Sequence, residues 1–160
     1  MENLETKRAM LRLAKLLVAG FKGRMITDNT DASGKLQDSF KYNVSGSGII
    51  SMDILAAKYA KVIDEGRKPG KRSPSVSSIV DWMKAKNITP YYGTKLKDYK
   101  KAAAAIADGI AKNGTIQRFA YKGTNFIKEV AKQYQTEGII EILEAYKLDI
   151  ENEINKAIKT

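Results

Sequence analysis

Apolar positions recur along this chain with two different periods, and the changes between them divide it into elements. In residues 4–22, Leu4, Met10, Leu13, Ala14, Leu17, Val18 and Phe21 recur at three- and four-residue steps. That spacing gathers them on one face of a helix. Lys7, Arg8, Arg12 and Lys15 fall largely on the other face. A basic amphipathic helix suits a membrane surface or a partner groove, but a core-facing helix with snorkelling bases is the simpler reading. Gly20 and Gly23 mark its expected end. Residues 27–35 are a polar connector of Asp, Asn, Thr, Ser and Gly, whose side chains bond the backbone locally.

The period then falls to two. Phe40, Tyr42 and Val44 alternate with Ser39, Lys41 and Asn43; after Gly46-Ser47-Gly48, Ile50, Met52 and Ile54 alternate again. Two such runs around a short glycine loop predict a β-hairpin over about residues 38–55. One apolar face on each strand requires a helix to cover it. Residues 56–65 fit helix or strand, with the Ala content and the spacing of Tyr59, Val62 and Ile63 favouring a helix that ends at Gly66.

Helical spacing returns at residues 76–86, where Val76, Ile79, Val80 and Met83 form a stripe with Trp82 close to it. Ser73 or Ser75 can cap this helix, Lys84 and Lys86 suit its C-terminal end, and Asn87 and Pro90 stop it. The single Trp is read as a core or interface anchor. A Tyr- and Lys-rich loop, residues 88–97, leads to a helix over 98–112 with Tyr99, Ala103, Ile106, Ala107 and Ile110 on one side. Asn113-Gly114 ends it, and residues 114–125 read as a turn region. The last element runs from about Asn125 to Lys159, with Gly138 as a break. Ile139, Leu143, Tyr146, Ile150, Ile154 and Ile158 form a stripe on its C-terminal half. That stripe must bury against the domain's own sheet or a neighbouring subunit. The expected fold is therefore α+β: a small antiparallel sheet packed against several helices, with a long C-terminal helix. At 160 residues the chain is expected to form a single domain over 1–160.

Composition removes more function classes than it suggests. With no His and no Cys, the chain can build no Ser-His-Asp or Cys-His nucleophile and no zinc-finger or thiolate-ligated cluster. No phosphate-binding glycine motif is present either, since Gly46-Ser47-Gly48 reads as the hairpin turn. Two carboxylate pairs are the remaining candidates for acid–base work, Asp64-Glu65 and Asp149/Glu153. The first two are sequence neighbours that point apart; the second two lie at i,i+4 on a Glu-rich face expected to be solvated. An enzyme is not expected, nor a cofactor or metal. No apolar run reaches the ~18 residues of a membrane span, and Met1-Glu2-Asn3 offers no basic n-region or h-region, so no signal peptide is expected.

Charge changes the picture most. The formal net charge is +10, and residues 58–101 carry 12 basic and 4 acidic side chains, a local +8. The densest run is Arg67-Lys68-Pro69-Gly70-Lys71-Arg72, with Pro69-Gly70 set for a tight turn. Such a loop serves phosphate binding, docking on an acidic protein face, or solubility. Tyr91, Tyr92 and Tyr99 lie in the same region and could stack bases, so a small basic nucleic-acid-binding protein is one reading. An adaptor for an acidic partner is another.

The order of segments adds a resemblance. Gly34-Lys35-Leu36-Gln37-Asp38-Ser39-Phe40 resembles a G-x-L-x-x-S-apolar lead-in to a strand. Tyr59-Ala60-x-x-Ile63-x-x-Gly66 precedes the basic loop, Ser78-Ile79-x-x-Trp82 lies in a helix ending at Lys86-Asn87-Ile88, and Ile106-Ala107 leads to Ile110-Ala111-Lys112-Asn113-Gly114. Asn125-Phe126 then opens the long helix. Over about residues 34–158 this series resembles the tail-completion and neck (head–tail joining) proteins of tailed bacteriophages, minor tail proteins among them. The resemblance implies a non-catalytic virion protein, made in the host cytoplasm, that forms a homo-oligomeric ring at the head–tail junction or upper tail. Its implied partners are other neck, tail or portal proteins, with non-specific contact to DNA in the channel and no membrane. It further implies that Tyr59, Ala60 and Gly66 fix the base of a protruding loop Arg67–Arg72 that faces DNA or a neighbouring subunit; Trp82 belongs to the same motif series. Residues 91–101 have no family counterpart.

Overall fold

A computed structural model describes residues 3–30, 33–92, 95–96, 98–119 and 122–159. In chain order the elements are α1 (Leu4–Thr27), α2 (Lys35–Ser39), β1 (Lys41–Ser45), β2 (Ser51–Leu55), α3 (Ala60–Glu65), α4 (Val76–Ala85), β3 (Tyr91–Tyr92), β4 (Lys95–Leu96), α5 (Tyr99–Phe119) and α6 (Phe126–Ile158). The fold class is α+β. The chain divides into two compact units, one of Met1–Thr27, Gln37–Ala57 and Phe126–Thr160, the other of Asp28–Leu36 and Lys58–Asn125.

The first unit is built on α1 and α6, which pack side by side and run antiparallel. Arg24 meets Glu129 at one end, Arg12 meets Glu141 farther along, and Thr6 meets Asp149 at the other. The face of α1 read from the sequence is the buried one: Leu13, Ala14, Leu17, Val18 and Phe21 are enclosed, joined by Ala9 and Met25, whereas Leu4 is exposed. Phe21, Phe40 and Phe126 form a three-ring cluster with centroids 5.5–6.2 Å apart. Two of its contacts are edge-to-face, the arrangement favoured by ring quadrupoles.

The hairpin lies on α1. β1 and β2 pair antiparallel with Tyr42 opposite Ile54 and Val44 opposite Met52, the faces expected from the alternation. Its loop is tied to the start of α1, because the Asn3 amide donates to the Ser47 carbonyl at 2.7 Å. The lead-in motif differs from expectation. Residues Lys35–Ser39 form a short helix, not extended chain, and the strand begins one residue after Phe40. The Ser39 hydroxyl accepts the Ala57 N–H at 3.0 Å, and Phe40 turns into the aromatic cluster.

Glycine placement corrects two boundaries. α1 continues through Gly20 and Gly23 to Thr27, and α6 runs without interruption through Gly138. Gly20 and Gly138 are contact points. A Cβ on Gly138 would stand 2.6 Å from Leu13 Cδ1, and one on Gly20 would stand 2.6 Å from Val130 Cγ1. The absent side chains let α1 and α6 approach closely. Gly23 meets nothing within 4 Å, so its missing Cβ serves no contact. Gly23→Ala is expected to stabilise the protein by about 0.5–1 kcal/mol in urea unfolding, the helix-propensity difference alone.

Close approach also decides which face of α6 is buried. Phe126, Val130, Gly138, Ala145 and Asp149 are enclosed. The larger stripe Ile139, Leu143, Tyr146, Ile150, Ile154 and Ile158 is exposed, from 36% at Ile150 to 76% at Ile158. The hairpin of its own unit does not cover it.

In the second unit α4 packs on α5. Met83, Ala103, Ala107 and Ile110 are buried there, with Ala103 and Ala107 again allowing close backbone approach. Ser75 caps α4 by accepting the Ser78 N–H at 3.2 Å. Asn87, at φ 53°, closes its other end, and the Ile88 N–H reaches back to the Met83 carbonyl at 2.7 Å. The expected end of α5 at Asn113-Gly114 is a kink: the backbone leaves helical geometry at Gly114 and resumes it up to Phe119.

Candidate interaction surface

The charge excess is sorted by unit. The second unit holds 16 basic and 7 acidic side chains, a net +9; the first holds 12 and 11, a net +1. Nearly the whole surplus of the chain therefore sits on the unit that contains the basic loop.

Short-range structure delivers that loop. α3 ends at Gly66, whose backbone (φ 74°, ψ −177°) turns the chain out of the helix. Arg67 then pairs with the α5 kink in both directions. Its N–H donates to Thr115 Oγ1 at 2.7 Å, and its carbonyl accepts the Thr115 N–H at 2.9 Å. Three residues on, the Gly70 N–H donates to the Ala111 carbonyl at 2.8 Å. A Cβ at Gly114 would stand 2.9 Å from Pro69 N and closer still to the Arg67 carbonyl oxygen. A second seam lies just upstream, where Thr124 and Asn125 donate N–H groups to the carbonyls of Ile63 and Asp64 at 3.2 and 2.9 Å. The segment from Ile63 to Gly70 is therefore held from both sides.

Lys68, Pro69, Gly70, Lys71 and Arg72 are exposed. Arg67 is half-buried, and its Nε is enclosed without a hydrogen-bond partner. The run thus presents positive and turn-forming groups beyond a fixed base. Of the motif residues, Ala60 is buried at 4% exposure, Tyr59 opens α3 with its ring 44% exposed, and Trp82 is 41% exposed. Trp82 is therefore no core anchor; Met83 beside it fills the core of this unit. Lys84 Nζ lies 5.9 Å from the Tyr99 ring centroid, a cation–π contact. Lys86 Nζ is held by the Asn29 carbonyl and Oδ1 at 2.8 and 2.7 Å. The side chains of Tyr91 and Tyr92 lie outside the described residues.

The two carboxylate pairs do different things from acid–base chemistry. Asp64 is buried at the end of α3, while Glu65 is exposed with Lys61 3.9 Å away. Asp149 is not on a solvated face. It is 3% exposed and caps the start of α1, accepting the N–H groups of Glu5 and Thr6 at 3.0 and 2.8 Å and the Thr6 hydroxyl at 2.7 Å. Burial pushes its carboxyl pKa up, but the hydrogen bonds from Thr6, Glu5 and Leu4 outweigh this and leave it below the ordinary value. Glu153 faces Lys156 at 3.1 Å.

Sequence reasoning missed Thr115, Gly114 and Gly123 as the seat of the basic segment. Their only local signal is glycine in a polar context, which reads as a turn. Among the described residues, no group of three or more acidic side chains is placed to hold a metal ion, and no helix is long and apolar enough to cross a membrane. Comparisons with known protein families, with curated proteins and with solved structures find no match.

Proposed function

We propose that this protein is a structural subunit of a tailed-bacteriophage virion, part of a ring at the head–tail junction or upper tail that joins neighbouring components around the DNA channel. The observation that carries this reading is the division of surface chemistry. One unit holds +9 around a firmly seated basic loop; the other is near neutral and exposes a long apolar helix face. A joining subunit needs both, an apolar surface for protein contacts and a cationic one for DNA or an acidic neighbour. The segment order from Gly34 to the C-terminal helix supports the same assignment. Mass spectrometry of purified particles of the phage encoding the chain is expected to find it at a stoichiometry of a few to some tens of copies. Its absence from purified particles overturns the reading.

The exposed cations Lys68, Lys71 and Arg72 favour a second reading, sequence-independent nucleic-acid binding by the loop. Replacing these three by alanine leaves the seated base intact. The triple variant is expected to lower the log–log salt slope of duplex binding by nearly one unit for each phosphate no longer neutralised. A filter-binding curve unchanged at every salt concentration removes this reading.

A further inference from the structure

Arg67 differs from the cations that follow it. Lys68, Lys71 and Arg72 are exposed, so solvent screens their charge; Arg67 is half-buried, with Nε enclosed. Its backbone is fixed in both directions by Thr115, through the bonds of 2.7 and 2.9 Å described above. Its guanidinium has no such hold. Among the described residues it makes neither a hydrogen bond nor an ion pair. Two carboxylates of the same unit are turned to other cations, Glu65 to Lys61 at 3.9 Å and Asp108 to Lys112 at 3.0 Å. A partly desolvated cation without a counter-charge, in a unit of net +9, destabilises the free protein. An anion relieves both penalties. Nε is the shut-in atom of the group and the terminal nitrogens are not, so the outer end of the guanidinium is the end that meets it.

The surroundings select the anion. From Arg67 to Ser73 the chain carries four cations, a proline, a glycine and a serine, with no large apolar side chain. Protein interfaces deplete charge at their centre and place aromatic or aliphatic anchors there. A purely cationic segment suits a polyanion whose charges repeat along a chain, and a guanidinium grips phosphate through two parallel N–H bonds. We propose that Arg67 is the fixed phosphate contact of the basic loop: its guanidinium holds one phosphodiester of a nucleic-acid strand, while Lys68, Lys71 and Arg72 neutralise neighbouring phosphates from mobile side chains. This rests on the nucleic-acid reading of the loop and assigns the ordered contact to one residue of it. The chain at Arg67 is held by Thr115 before the strand arrives, so binding orders little more than the side chain.

The test combines binding and stability on the full chain, with a mixed-sequence DNA duplex as probe. Arg67→Met keeps the backbone bonds to Thr115 and a comparable aliphatic stem. It should lower duplex affinity about tenfold or more, the scale of a hydrogen bond to a charged group. Lys68→Ala, at an exposed cation, should lower it about fivefold or less. Arg67→Met should also unfold at a urea midpoint equal to or above the parent's, because an unpaired cation has gone. Arg67→Lys should keep the parent's salt slope, since the charge remains, but not its affinity, since a point charge lacks the fork. Inorganic phosphate should compete with the duplex in the parent and not in Arg67→Met. Parent-like affinity in Arg67→Met or Arg67→Lys overturns the proposal. So does a lowered urea midpoint in Arg67→Met, which would make the guanidinium part of the fold. Polyglutamate displacing the duplex as well as phosphate-bearing polymer does overturns it in favour of an acidic protein partner. If the Lys68, Lys71 and Arg72 alanine variant weakens binding and Arg67→Met does not, the loop reading stands and the Arg67 assignment alone falls; if the parent binds no duplex, both fall.

Discussion

Gly114→Ala is expected to lower stability by roughly 3 kcal/mol or more and to loosen the basic loop. Two independent penalties combine. The backbone there sits at φ 66°, ψ −174°, a region essentially reserved for glycine and costing of order 1–3 kcal/mol for other residues. In addition, the new methyl meets backbone, the Arg67 carbonyl and Pro69 nitrogen, which cannot rotate away as a side-chain tip can. Relief requires moving the loop off α5, which breaks the paired Arg67–Thr115 bonds and the Gly70–Ala111 bond. Urea unfolding measures the first effect. Trypsin measures the second, since the bonds after Lys71 and Arg72 should be cut faster once the base opens, whereas Lys68 is protected by Pro69. Gly123, at φ 87° against the Asp64 carbonyl, should behave alike when changed to Ala. A Gly114→Ala protein within about 0.5 kcal/mol of the parent would show that this seat does not hold the loop.

Asp149→Ala should cost about 2–4 kcal/mol, from a missing helix cap and two N–H donors left without their acceptor in a closed site. Asp149→Asn keeps the shape but removes the charge that the start of α1 favours, so it should cost less. The pH dependence follows from the direction of the shift. A carboxyl whose folded pKa is lowered stabilises the native state above its unfolded pKa, and that contribution disappears as pH falls through the folded value. The parent should therefore lose its advantage over Asp149→Asn as the pH drops below about 4, and keep it fully at neutral pH. Denaturant midpoints of both proteins at neutral pH and near pH 3 make the comparison. A gap between them that stays constant across this range contradicts the capping role.

Local elements were readable because they depend on local chemistry. The three- and four-residue steps located α1, α4, α5 and α6, and the two-residue alternation located β1 and β2 with the correct faces paired. Ser75, Gly66 and Asn87 closed helices for reasons internal to a few residues. The candidate surface was half legible. The run Arg67–Arg72 announces itself by composition, but its attachment to Thr115 joins residues 48 apart. Asp149 misled for the same reason: on its own helix it looks solvated, and only the start of α1, 143 residues earlier in the chain, encloses it.

What the sequence by itself determined is the α+β class, the positions of the long helices and hairpin, the absence of His- and Cys-based chemistry, and one concentrated basic loop. Only the tertiary structure decided which helix faces are used. The physical reason is that periodicity reports how much apolar area a face offers, while packing depends on how closely two backbones can approach. Gly138 and Ala145 let α1 in, so the small-residue face of α6 is buried and its larger isoleucine stripe is left outside. The same holds for the glycines: a local reading gives them all as stops, and only the neighbour across the fold separates the stops from the contacts.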